Sequence, residues 1–246
     1  MSKTFKILSL LLTYPEEQIQ AAAGEMKQVL AAEKLVPANC LKGLSGLLDE
    51  LASGDLYDLQ ERYVLLFDRS RSLSLHLFEH IHGESRDRGQ AMVDLAEHYE
   101  EHGLVLSARE LPDFLPLFLE FLSTRPLAEA GELLDQPLHV IAALGERLRK
   151  RKSAYAWVFI ALEGIAKGKP VKAAMESLLA EPDEDPNDFE ALDRAWEDQP
   201  VTFGPGAVAG GISPGGGCPA ARETLAQMDP PTRQTPPSGP SAAKTN

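Results

Sequence analysis

Between Leu56 and Phe67 the apolar residues Leu56, Leu59, Tyr63, Leu66 and Phe67 recur every three or four positions. That spacing lays one buried stripe along a helix, and Asp55 after Gly54 supplies its expected N-cap. The same period puts Met92, Leu95, Ala96 and Tyr99 on one face of a helix over Glu84–His102, with Gly103 as the stop. Pro137 is the expected first residue of a helix burying Ile141, Leu144 and Leu148. Phe114–Leu122 (FLPLFLEFL) and Ala154–Leu162 (AYAWVFIAL) are apolar on nearly every side. A helix without a polar face is surrounded by others, so these two are predicted to be central. Asp113, beside Pro112, precedes the first, where a carboxylate suits the helix dipole. Pro116 falls in its first turn, where a missing amide hydrogen does least harm. Strand alternation is almost absent. The expected fold is all-α, one helical bundle over residues 1–180.

The pattern changes after Ala180. From Glu181 to Asp198 nine acidic residues face one basic residue, Arg194. From Gln199 to Asn246, Pro and Gly together make 17 of 48 residues. That composition without a period predicts a flexible tail. The expected organisation is a helical domain over 1–180, an acidic linker over 181–198 with one short helix around Phe189–Trp196, and a disordered tail over 199–246.

Charge and cysteine content narrow the function classes. A net charge of −13 and a pI near 4.9 argue against nucleic acid, whose phosphates require a Lys/Arg surplus. Cys40 and Cys218 form neither a disulfide framework nor a four-thiolate metal site, which suits a reducing compartment. Cys40 begins an apolar stripe and is expected in the core, whereas Cys218 falls in the Gly-rich tail. Lys3 and Lys6 precede a short apolar run, Ile7–Tyr14, and Ala21–Ala23 imitates a cleavage site. Pro15, Glu16, Glu17, Gln18 and Gln20 interrupt it, so a secretory signal is disfavoured. No apolar stretch approaches the roughly 20 residues of a membrane span. A cytoplasmic protein is expected.

The strongest enzyme-like string is His76-Leu77-Phe78-Glu79-His80, which fits H-x-x-E-H. On a helix, His76 and His80 would share a face and grip zinc, with Glu79 as general base. The competing reading, which carries more weight, packs Leu75, Leu77, Phe78 and Ile81 and leaves the histidines at the rim. His98 and His102 are also four apart, among Glu97, Glu100 and Glu101, and read as solvated surface, with a metal pair as the alternative. No phosphate-binding loop, dinucleotide fingerprint or G-x-S-x-G elbow is present. The weight therefore moves from enzyme to binding protein. The charge-dense joint Gly83–Gly89 (GESRDRG) is either a helix start with exposed ion pairs or a feature that orients a partner peptide.

Two long runs carry a resemblance. Tyr63–Leu95 (YVLLFDRSRSLSLHLFEHIHGESRDRGQAMVDL) closely resembles the signature region of nitrate reductase molybdenum cofactor assembly chaperones of the NarJ type. Glu110–Ser123 (ELPDFLPLFLEFLS) resembles that family's second signature and a helix of the wider TorD-like redox-enzyme chaperones, some of which carry histidine where Phe114 stands. Trp196–Phe203 resembles the segment after the family's helical domain. The resemblance implies an all-α bundle with no catalytic activity and no permanently held cofactor, the molybdenum cofactor being handled by the client. It implies binding to the N-terminal segment of the apo catalytic (alpha) subunit of nitrate reductase before membrane docking, with cofactor biosynthesis proteins as further partners. A chaperone of the same family serving another molybdoenzyme is the nearest alternative. An apolar groove with an acidic rim would suit such a peptide. Its candidate residues are Phe67, Phe78, Phe114, Phe118 and Phe121, in the groove or under it, each weighed against plain core packing. From the signatures come Asp68, His76, Glu79, His80, His82, Arg86, Pro112 and Asp113.

Overall fold

The computed structural model describes residues 2–83, 85–106 and 110–181. Among them the ordered elements are helices and one isolated backbone bridge, so the expected all-α architecture is what forms.

Capping starts the bundle. Helix α1 (Lys3–Leu11) begins where the Ser2 hydroxyl accepts the Thr4 amide at 3.2 Å. The carboxylate of Glu33, the last residue of α2 (Glu17–Glu33), accepts the Lys3 and Thr4 amides, both at 2.9 Å, and the Ser2 and Thr4 hydroxyls, both at 2.7 Å. Burial acts to raise the Glu33 pKa, but these bonds outweigh it and hold the group below its ordinary range. The end of one helix thus satisfies the orphan donors at the start of another.

Helix α2 buries Ala23, Met26 and Leu30 against α3 (Ala38–Ser53), whose inner stripe is Cys40, Leu44, Leu47, Leu48 and Leu51. Asp55 caps α4 (Leu56–Tyr63) by accepting the Tyr57 and Asp58 amides at 2.9 and 3.3 Å. The chain then widens into a π turn, Val64–Asp68, closed by the Arg69 amide on the Val64 carbonyl at 3.1 Å. Leu59, Tyr63 and Phe67 face inward, while Leu56 and Leu66 are only half-buried, so the predicted stripe is narrower than its spacing suggested. A single 3₁₀ turn, Arg71–Leu73, leads to α5 (Leu77–His82) and α6 (Asp87–Glu101). Gly103, at φ +80°, ends α6, and the Leu104 amide returns to the Tyr99 carbonyl at 2.9 Å, a left-handed stop that favours glycine.

Helix α7 (Leu115–Thr124) lies along α1, and the Ser9 hydroxyl donates to the Pro116 carbonyl at 2.7 Å inside that contact. It is followed by α8 (Leu127–Asp135), α9 (Leu138–Lys150), α10 (Ala156–Ile165) and α11 (Lys172–Ala180). Pro137 is the N-cap of α9 rather than its first residue, and Ile141, Leu144 and Leu148 are buried as expected. Helix α9 packs on α10 and α11, and α10 packs on α3. Gly43 permits that last contact, because a Cβ there would stand 2.0–2.4 Å from the Trp157 ring. Arg147 is buried at 2% exposure and donates to the Ser72 and Leu178 carbonyls at 2.6 and 2.5 Å. It ties the 3₁₀ turn to α9 and α11.

No helix among the described residues is long and apolar enough to cross a membrane. Apart from Glu181, the acidic linker, its short helix around Phe189–Trp196, the tail over 199–246 and Cys218 lie outside the described residues.

Candidate partner-binding site

The two runs singled out in the sequence meet in one place. His76 and Phe114 form an antiparallel bridge, with the Leu77 amide on the Asp113 carbonyl at 3.0 Å and the Leu115 amide on the Leu75 carbonyl at 2.8 Å. Asp113 is fully buried. One of its carboxylate oxygens accepts the Phe78 amide at 3.0 Å, and the other faces His76 Nδ1 at 3.1 Å. Phe78 lies in the first turn of α5, so Asp113 caps α5 from a distant part of the chain. This corrects the expectation that its carboxylate serves the helix beginning at Leu115, whose N-cap is Phe114 without a side-chain cap. The Tyr99 hydroxyl donates to the Pro112 carbonyl at 2.9 Å, which fixes the approach to the bridge.

The enzyme-like string does not form a zinc grip. His76 has extended backbone and precedes α5, so it does not share a helical face with His80. Its ring is held by Asp113 and lies 5.3 Å from the Phe114 ring. That hydrogen bond raises the His76 pKa against the opposing effect of burial. The His80 Nε2 donates to the Ser74 carbonyl at 2.8 Å, and burial pushes the His80 pKa down. Glu79 pairs with Arg88 at 3.1 Å, joining α5 to α6. Each of the three groups is committed elsewhere, so the peptidase alternative is set aside.

The five phenylalanines separate. Phe67, Phe118 and Phe121 are 4%, 6% and 0% exposed and belong to the core. Phe67 packs on Tyr63 and Tyr155 with ring centroids 5.1 and 5.2 Å apart, and Phe121 on Tyr99 at 4.8 Å. These three can act on a partner only from beneath. Phe78 and Phe114 are half-buried; the bridge pairs Phe114 with His76, and the Asp113 carboxylate ties the Phe78 amide to the same place. His82 stands edge-on to Phe78 at 5.4 Å, Pro112 is half-buried, and Asp68 and Arg86 are exposed. Asp68 lies within electrostatic reach of His76.

Two apolar residues of the same segments escaped the sequence reading. Ile81, expected to pack, is 41% exposed, and Leu111 is 48% exposed. Leu111 follows a charged residue and precedes a proline, and nothing in the period marks it as outward. The two segments joined at the bridge thus carry the half-buried Phe78 and Phe114 and the exposed Ile81 and Leu111, together with the charged side chains of Asp68 and of the Glu79–Arg88 pair.

The model of the nitrate reductase delta subunit family matches residues 16–161, which include both stitched segments. This chain belongs to that family. Among its relatives, the nitrate reductase molybdenum cofactor assembly chaperone NarJ of Escherichia coli K12 is 44% identical over 197 residues, covering 80% of this chain and 83% of that protein. NarW of the same strain is 37% identical over 198 residues, covering 80% and 82%. NarJ of Bacillus subtilis 168 is 30% identical over 178 residues, covering 71% and 96%. Within the delta subunit family frame, the Asp113 junction lies wholly inside the matched span.

Proposed function

We propose that this protein is an assembly chaperone, not a catalyst, for a nitrate reductase. It binds the N-terminal segment of the apo catalytic subunit in the cytoplasm and holds that subunit open for molybdenum cofactor insertion before membrane docking. It keeps no cofactor of its own. Membership of the delta subunit family, with relatives named as cofactor assembly chaperones, carries the reading. The Asp113 junction supports it, because half-buried aromatics beside carboxylates suit an amphipathic peptide bearing Lys or Arg. Chaperoning then follows by linkage: binding the open subunit better than the finished one favours the open state by that difference in affinity.

The test is capture by the full chain of the apo catalytic subunit, compared with the cofactor-loaded subunit and with an apo subunit lacking its N-terminal segment. Preference for the intact apo form is expected. Equal capture of all three would overturn the reading. Selective capture of a different molybdoenzyme would assign the client elsewhere.

A further inference from the structure

The last turn of α6 carries a cluster that the proposed function does not use. Among the described residues, His98, Glu101 and His102 each offer a ligand atom within 4.8 Å of the others'. Glu101 and His102 follow His98 by three and four positions, so each lies one turn beyond it, at the end of the helix. The expectation that His98 and His102 are merely solvated is corrected by their burial, since both are half-buried. Their rings lie 4.5 Å apart, and both stand edge-on to Phe121 at 5.5 and 5.7 Å.

The hydrogen bonds of the two rings point to an ion. His102 Nδ1 lies 2.7 Å from the His98 carbonyl, which can only accept, so Nδ1 is the donor there and Nε2 is the nitrogen left to face an ion. A backbone carbonyl holding the second nitrogen is the support that metal-binding histidines require. The His98 Nε2 is shut off from solvent and has no hydrogen-bond partner. A buried polar atom left unmatched in this way asks for a partner.

We infer that His98, Glu101 and His102 form a binding site for a divalent transition ion of the zinc type. Two imidazoles and one carboxylate are a donor set that such ions accept, with a position left for water or another ligand. A bond length of about 2.1 Å places tetrahedral donors about 3.4 Å apart, so small side-chain rotations close the cluster. The C-terminal end of α6 is the negative pole of the helix dipole and favours a cation there. Arg125, over the Phe121 ring at 5.7 Å, is paired with Glu129 at 2.9 Å. Ligation would fasten the turn from which Tyr99 reaches Pro112, at the edge of the junction.

The test is titration of the metal-free full chain with Zn(II) by calorimetry, with Co(II) absorption reporting the ligand field. One equivalent at micromolar affinity is expected, lost by at least about tenfold in H98Q and in H102Q and weakened in E101Q. Glu101 is exposed, so E101Q keeps the fold and keeps the test decisive. H139Q, on α9, is expected to bind as the parent does. No binding below millimolar concentration would overturn the site, as would binding that all three α6 variants retain or that H139Q loses equally.

Discussion

The buried carboxylate of Asp113 touches His76 Nδ1 at 3.1 Å and the Phe78 amide at 3.0 Å, so one side chain holds both the ring and the helix that border the junction. Removing it undoes a cap and a buried polar contact together. Asp113→Ala is expected to cost about 3 kcal/mol by urea unfolding, and Asp113→Asn, which keeps an acceptor for Phe78, distinctly less. Equal losses would show that charge alone matters.

The same pair predicts a pH dependence. The folded-state pKa of His76 is raised, so the folded protein binds the proton more tightly than the unfolded chain. Its contribution is full below the ordinary histidine pKa and disappears as pH rises through the raised value. His80, with a lowered pKa, acts in the opposite sense: its contribution is full above the ordinary value and is lost on acidification. The stability gap between the parent and H76Q should therefore be widest in mild acid and narrow toward alkaline pH. A gap that widens with pH would contradict the assignment.

Partner affinity separates surface from core. Phe78→Ala and Leu111→Ala are each expected to weaken binding of the client's N-terminal peptide by about tenfold without loss of fold. Added salt should weaken it further if basic client residues meet the acidic rim. Phe118→Ala should instead lower the unfolding midpoint, because Phe118 is in the core. Calorimetric titration beside chemical denaturation distinguishes the two.

Arg147 predicts a local effect. Arg147→Met removes the donors to Ser72 and Leu178 and should destabilise by about 1–3 kcal/mol. Hydrogen exchange should quicken first in α11, which Arg147 holds through Leu178.

Close packing of α3 on α10 leaves no room at Gly43. Gly43→Ala must displace the Trp157 indole and is expected to cost about 1–3 kcal/mol, read from the unfolding midpoint and from Trp fluorescence.

Local physics was legible in the chain. Asp55 caps α4, Gly103 stops α6, and FLPLFLEFL and AYAWVFIAL supply the buried α7 and α10, because caps, stops and apolar periods are settled by near neighbours. What escaped was set by distant ones. Asp113 appeared to serve the helix that follows it, and only the bridge between His76 and Phe114 shows that it serves α5. H-x-x-E-H suggested a shared helical face because a string cannot show where a helix begins. The surroundings of His98 and His102 depend on Phe121, which approaches from another helix.

The cap on α5 comes from a residue 35 positions further along. On a ribosome, α5 therefore leaves the exit tunnel well before Asp113 can reach it, and it waits uncapped. The junction becomes complete only after α7 has emerged and closed against α1. A chain arrested before Asp113 would lack the junction even though its signature from Tyr63 to Leu95 was already made. On the proposed function, readiness to receive another unfinished protein is a late event in this protein's own synthesis.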